Sequence, residues 1–233
     1  MLQSVRNFFR AVPTPLAGLA LGIASLGIGL EKSLPLHNFA QVFGALTSMT
    51  LILLLAGKFA LNPRLLLEEL RHPVLGSILP TTSMALMLQS KSLSILDARA
   101  AQWLWLFAVA LHLCLLLAFV AFRARQFSLH HMLPSWFVPF VGISVAAMTV
   151  PGPAYYQLAY GLMVFGMVNY ATLLPVMLYR LIFSREIEDA SKPTIAVLAA
   201  PASLSLVAYL SLEPTPSLLL CSLLLGVAVL MTS

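Results

Sequence analysis

Between Gln126 and Tyr179 the chain carries no Asp, Glu, Lys or Arg. A helix that crosses a bilayer core of about 30 Å needs roughly 20 apolar residues, so this stretch is far too long for one crossing. Pro151, Gly152 and Pro153 divide it, because prolines and glycine favour a turn over a continuing helix. Two membrane helices joined by a tight turn account for it. The rest of the 233 residues follows the same pattern. Charged residues make up 9% and hydrophobic residues 60%, against roughly a quarter charged in an ordinary soluble chain. Such a composition cannot surround one core with a water-facing surface, so the surface faces lipid.

Charges and turn residues cut the chain into about eight segments of spanning length. They are Pro13 to Leu30, Leu36 to Gly57, Pro73 to Gln89, Ala100 to Phe122, Leu133 to Val150, Ala154 to Tyr179, Pro193 to Leu212 and Ser217 to Met231. The predicted fold is an all-α membrane protein forming a single transmembrane domain over residues 1–233. The eighth segment is short and reaches across only with its flanking serine and threonine. Arg6 and Arg10 followed by the uncharged Ala11 to Leu30 have the outline of a signal peptide. The stretch is too long for a typical signal and lacks a small-x-small cleavage site, which predicts a retained first helix.

Basic residues in short loops set orientation. With the N-terminus inside, the cytoplasmic segments hold Arg6, Arg10, Lys58, Arg64, Arg71, Arg123, Arg125, Arg180, Arg185 and Lys192, leaving Lys32, Lys91 and Arg99 outside. That asymmetry places both termini in the cytoplasm, and the membrane expected is the bacterial inner membrane. Trp103, Trp105, Tyr155, Tyr156 and Tyr209 fall near the outer interface, and Trp136 and Tyr179 near the inner one, as an aromatic belt would. The net charge of +5 is spread singly between apolar runs and forms no stripe, which argues against a nucleic-acid partner. Cys114 and Cys221 lie in apolar runs, where a thiol acts as a small hydrophobe.

Prolines alternate along the spans. The first span opens with Pro13 and Pro15, the third has Pro80, the fifth Pro134 and Pro139, and the seventh Pro201; the second, fourth and eighth have none. In the sixth, Pro175 sits near the cytoplasmic end. A proline inside a helix removes a backbone hydrogen bond, and in hydrocarbon the freed carbonyl must find protein or water. The expectation is therefore an arrangement of helical hairpins with kinked odd-numbered helices inside and straight, Leu-rich even-numbered helices outside. Small and hydroxyl residues accompany the kinks: Thr14, Gly18 and Gly22; Ser77, Thr81 and Thr82; Gly142 and Ser144; Ser203 and Ser205. Singly, each fits close helix packing as well as the lining of a narrow aqueous path; their recurrence on successive odd helices favours the path. Candidate pore-lining residues are thus Thr14, Gly18, Gly22, Pro80, Thr81, Thr82, Pro139, Gly142, Ser144, Pro201 and Ser203.

No acidic or basic residue lies deep in a predicted span, which argues against proton-driven transport. Arg71, His72, His130 and His131 fit two roles, a basic cytoplasmic vestibule or simple topology anchors, and the anchors are the commoner use. Gln41 and Asn169 suit hydrogen bonds between helices. His112, in the fourth helix, has no partner at metal-ligand spacing and reads as a satisfied structural histidine. Phe140 and Phe165 are candidate pore plugs. Glu68, Glu69, Glu186, Glu188 and Asp189 lie in loops beside basic residues, where solvated charge is the default. No enzyme constellation, cofactor motif or metal site is expected.

Five segments together resemble the tellurite-resistance/dicarboxylate transporter family, which includes the SLAC-type anion channels. They are VPTPLAGLALGIASLG at 12–27, EELRHPVLGSILPTTSMAL at 68–86, LPSWFVPFVG at 133–142, LLPVMLYRL at 173–181 and IAVLAAPASLSLVAYLS at 195–211. The similarity runs in order through nearly the whole chain. It implies a channel or transporter for small inorganic or carboxylate anions. It also implies ten helices in five hairpins, odd helices around a pore, and a homotrimer in the lipid bilayer. Two departures stand out. The fifth hairpin, whose ninth helix supplies a pore-blocking phenylalanine in relatives, is missing, and Leu174 precedes Pro175 where bacterial relatives often carry an acidic residue. The expected function is anion transport. The alternatives are a carrier exporting dicarboxylate, sulfite or tellurite-like oxyanions, and a truncated membrane subunit that no longer transports.

Overall fold

Backbone amides in hydrocarbon have no water to pair with, so a spanning segment must satisfy them within itself, and helices do so. In the computed structural model, which describes residues 2–125, 132–184 and 189–232, the described residues form helices and turns with no strand among them. An amphipathic surface helix, α1 (Leu2–Arg10), precedes the first span, α2 (Leu16–Ser33), and its Phe9 ring fills the gap left by Gly57 of the next span, α3 (Phe39–Leu61). A second short helix, α4 (Pro63–Arg71), leads into the third span.

Among the described residues, five helices are long and apolar enough to cross a membrane: α2, α3, α7 (Ala98–Ala124), Pro153–Phe183 and Lys192–Leu212. The fourth of these is α10 (Tyr156–Phe183) with a 3₁₀ turn before it, and it continues unbroken through Pro175. The fifth begins as 3₁₀ helix at Asp189–Ala199 and becomes α11 (Ala200–Leu212). The other three predicted spans are interrupted or short. Pro80 separates α5 (Pro73–Ile78) from α6 (Thr81–Leu93). Pro134, Pro139 and Gly142 break the fifth segment into a 3₁₀ turn at Pro134–Trp136, α8 (Phe137–Val141), a second 3₁₀ turn at Gly142–Ser144 and α9 (Val145–Met148). The last, α12 (Leu218–Thr232), has 15 residues, and at 1.5 Å per residue it extends only about 22 Å.

Successive spans pack as hairpins: α2 on α3, α6 on α7, the broken segment at 134–148 on α10, and α11 on α12. The two broken spans occupy the centre. Ser83 through Ser90 of α6 are all buried, as are Val141 through Ala147 of the fifth segment. The first and seventh spans bury one face each and expose the other, through Leu19 and Leu26 on α2 and Val207 and Leu210 on α11. The predicted division into inner and outer helices is thus sharpest for the third and fifth spans. The even-numbered spans, α3, α7, α10 and α12, all present apolar side chains outward, among them Leu53, Leu117, Val168 and Leu230.

α2 and α3 approach each other closely at Gly27 and Gly44. A Cβ on Gly27 would fall 2.6 Å from the Ala40 carbonyl oxygen, whereas one on Gly22 would meet nothing within 4 Å. Gly27→Val should therefore separate the first hairpin at a cost of about 1–3 kcal/mol, and Gly22→Ala should leave stability unchanged. Thermal unfolding of the purified protein in detergent distinguishes the two positions.

Candidate functional site

The breaks in the two central spans lie beside one another. Pro80 has no N–H, so the carbonyl of Gly76 loses its helical donor, and Pro139 does the same to Ser135. Hydroxyls gather there. Ser77 Oγ donates to the Val74 carbonyl and lies 2.7 Å from Ser135 Oγ, and Thr81 Oγ1 donates to the Ile78 carbonyl at 2.8 Å. Ser83 Oγ is 2.7 Å from the Pro80 carbonyl oxygen and 3.0 Å from His112 Nδ1.

His112 closes the connection. It is wholly buried on α7, and its Nε2 is 3.0 Å from the carbonyl oxygen of Pro139. A carbonyl only accepts, so Nε2 carries the hydrogen and the neutral ring accepts at Nδ1 from Ser83. The Pro80 carbonyl keeps a donor in either case, from the Met84 amide at 3.1 Å. One imidazole of the fourth span thereby ties the kink of the third to the kink of the fifth. His112 is the satisfied structural histidine expected, and Ser83, its partner, is the residue that sequence reasoning passed over. Its signal was the Pro-x-x-Ser spacing, which places a hydroxyl beside the carbonyl of the helix-breaking proline.

A second contact from α7 holds the other end of the fifth segment. Trp105 Nε1 donates to the Ala146 carbonyl at 3.3 Å and to Thr149 Oγ1 at 3.2 Å, and Lys91 Nζ donates to the Met148 carbonyl at 2.9 Å. Trp105 is therefore buried and does not join an aromatic belt, unlike Trp103, which is 69% exposed. Trp136 is also buried, edge-on to Phe119 at 5.3 Å. Gln41 bridges α3 to Ser92 at 3.3 Å, as expected of a residue joining helices. Asn169 instead donates to the Phe165 carbonyl within its own helix.

The predicted pore-lining residues fall into separate places. Gly18 and Gly22 lie on α2 with open space beside them. Pro80, Thr81, Pro139, Gly142 and Pro201 are buried at or near the breaks. Thr82 Oγ1 is buried without a partner. Gly142 packs against Met84 and the His112 ring. Ser144 points at Gly166 of α10, between the fifth and sixth spans. Ser203 lies on the exposed face of α11 and donates to the Ala199 carbonyl, while its neighbour Ser205 is fully buried. Phe140 packs edge-on to Phe119 at 6.2 Å, and Phe165 is exposed on α10.

Thr14 joins a polar cluster at the basic end of the bundle. Lys58 Nζ pairs with Glu69 Oε1 at 2.6 Å and donates to Thr14 Oγ1 at 2.9 Å, and Thr14 Oγ1 donates to Glu69 Oε2 at 2.5 Å. The pair is nearly buried, with side chains 5% and 12% exposed, so Glu69 is not the solvated loop carboxylate expected. A lone lysine at the end of the apolar run LILLLAG was the overlooked signal, since a cation there needs a partner. His72 caps α5, with Nδ1 accepting from the amides of Val74 and Leu75, both at 3.3 Å. Arg71 turns towards α7, its guanidinium 5.8 Å from the Phe122 ring centroid. The remaining vestibule candidates, His130 and His131, lie outside the described residues.

Apolar spans with outward-facing aliphatic side chains, around broken central helices with hydroxyls at the breaks, define an integral membrane protein. Residues 12–233 match the voltage-dependent anion channel family SLAC1, and the chain belongs to that family. It is also similar to an uncharacterized transporter of Methanocaldococcus jannaschii, with 25% identity over 184 residues, covering 73% of this chain and 54% of that protein. The chain thus spans about half the length of the curated relative it matches.

If the imidazole bridge holds the two kinks, His112→Ala and His112→Phe should both lower the thermal midpoint. Each buried group left unpaired costs about 1–3 kcal/mol. Phenylalanine refills the volume without restoring either hydrogen bond, so a wild-type midpoint for His112→Phe would show that packing alone is at work.

Proposed function

We propose that this protein passes small inorganic or carboxylate anions across the bacterial inner membrane along a path bordered by the odd-numbered spans. Both termini lie in the cytoplasm in this reading, and the protomers associate as the homotrimer that the family resemblance implies. Membership of an anion channel family supports the transport class.

The observation that carries the path is the small-residue face of α2. Gly27, against Gly44, makes the tight contact with α3, whereas Gly18 and Gly22 have nothing within 4 Å of where a Cβ would stand. Neither glycine packs against protein, and both lie towards the open side of α2, which also carries Leu19 and Leu26. Thr82 supplies an unpaired hydroxyl on the third span. A lining of small residues, hydroxyls and broken helix ends offers partial positive charge without holding an anion too tightly. The excess of arginine and lysine at one end would raise the local concentration of anions there. Buried Pro80 and Pro139 serve by breaking their helices rather than by touching the anion.

Flux of chloride or nitrate from proteoliposomes tests this reading. Wild-type protein should release anion faster than protein-free vesicles, Gly22→Ala should keep that rate, and Gly22→Phe should reduce it to the background. Release that saturates and is competed by dicarboxylate, sulfite or tellurite would define a carrier. Background flux from folded wild-type protein would overturn the transport reading. Undiminished flux in Gly22→Phe would remove α2 from the path.

A further inference from the structure

At the basic end of the fourth span, Arg71, Phe122, Arg123 and Arg125 line a recess of about 270 Å³. Three guanidiniums share it, and among the described residues none of them is in a salt bridge. The inward carboxylate of α4, Glu69, is paired with Lys58, and Glu68 is exposed. Arginines that merely anchor a helix extend their heads into water. Arg123 does the opposite. It is only 7% exposed, one of its terminal nitrogens donates to the Arg71 carbonyl at the end of α4, and its Nε is buried with no partner. A buried guanidinium with a single carbonyl contact and two further cations beside it is electrostatically incomplete, because buried charge is ordinarily paired.

We infer that this recess is a binding site for a phosphate group. Guanidiniums suit phosphate because their planar N–H donors match its oxygens in pairs. The face of Arg71 rests on Phe122, which orients its fork while leaving its edges available. The surroundings favour a phospholipid headgroup as the source. The recess lies at the end of α7, an outer helix whose Phe107, Leu117 and Val120 are exposed for acyl chains to follow. Basic recesses at the membrane surface beside spanning helices are the usual means of holding anionic headgroups. The site is separate from the small-residue face of α2 and does not depend on the transport reading.

The test uses the purified full chain in detergent, with bound molecules counted by native mass spectrometry and the thermal midpoint followed in parallel. The probes are dioleoylphosphatidylglycerol, dioleoylglycerol as the same chains without phosphate, and inorganic phosphate. Phosphatidylglycerol should bind saturably and raise the midpoint, and dioleoylglycerol should do neither. Arg71→Ala and Arg125→Ala should each weaken that binding roughly fivefold, the effect of about one basic side chain at a membrane surface. Arg125 is exposed, so Arg125→Ala retains the fold and keeps the comparison valid. Saturable binding of inorganic phosphate with the same sensitivity to both variants, and no lipid bound, would keep the site and assign it free phosphate. Equal effects of dioleoylglycerol and phosphatidylglycerol, or unchanged affinity in both arginine variants, would overturn the inference.

Discussion

A buried membrane helix broken by proline has no water to support the break, and the arrangement of the centre follows from the side chains that hold the broken segments together. The third and fifth spans carry such breaks at Pro80 and Pro139, and both sit where almost every neighbour is protein. His112 reaches them from the fourth span, taking Ser83 on one ring nitrogen and the Pro139 carbonyl on the other. Trp105, about two helical turns earlier on α7, holds the Ala146 carbonyl in the same way. The fourth span, straight and free of proline, thus acts as a strut for the two helices that cannot complete their own ladders. That dependence explains why the inner spans can be irregular without being exposed.

The basic end shows the same requirement applied to charge. Lys58 and Glu69 are withdrawn from water and neutralise each other, with Thr14 taking up further hydrogen-bonding capacity. The cluster joins the starts of the first and third spans to the end of the second, so it fixes the angle at which the first two hairpins meet. Arg123 is withdrawn to a similar degree but pairs with no carboxylate among the described residues. The contrast separates a closed structural cluster from a recess that still has capacity for an anion.

Much of the fold was legible because membrane insertion imposes a coarse rule that a one-dimensional pattern can satisfy. The Pro151-Gly152-Pro153 turn, the hairpin pairing and the central place of Pro80 and Pro139 all followed from apolar length and proline position. Span continuity was less legible: hydropathy does not reveal that the fifth segment alternates between 3₁₀ and α turns. Side-chain roles were hardest, because a small or hydroxyl residue in a helix has a face that sequence spacing alone does not orient. Ser144 points at Gly166 and Ser203 lies outward, although both share the pattern that marks Thr82. Glu69 was misread, and the hydrogen-bond partners of Thr14 were not foreseen, for a related reason. Their partner, Lys58, is more than forty positions from Thr14, as its 44-residue separation shows, and only the fold brings the three together.

The central claim is that the small-residue face of the first span borders water, while its neighbouring face is sealed against the second. Substituted-cysteine labelling in native membranes measures this directly, with Cys114 and Cys221 replaced by serine and single cysteines placed at positions 18, 22 and 27. The account predicts that a charged, membrane-impermeant thiol reagent modifies cysteine at 18 and 22, that permeant anions slow the modification, and that cysteine at 27 stays unmodified. Protection at 18 and 22 in folded protein, or modification there that is indifferent to anions, would contradict it.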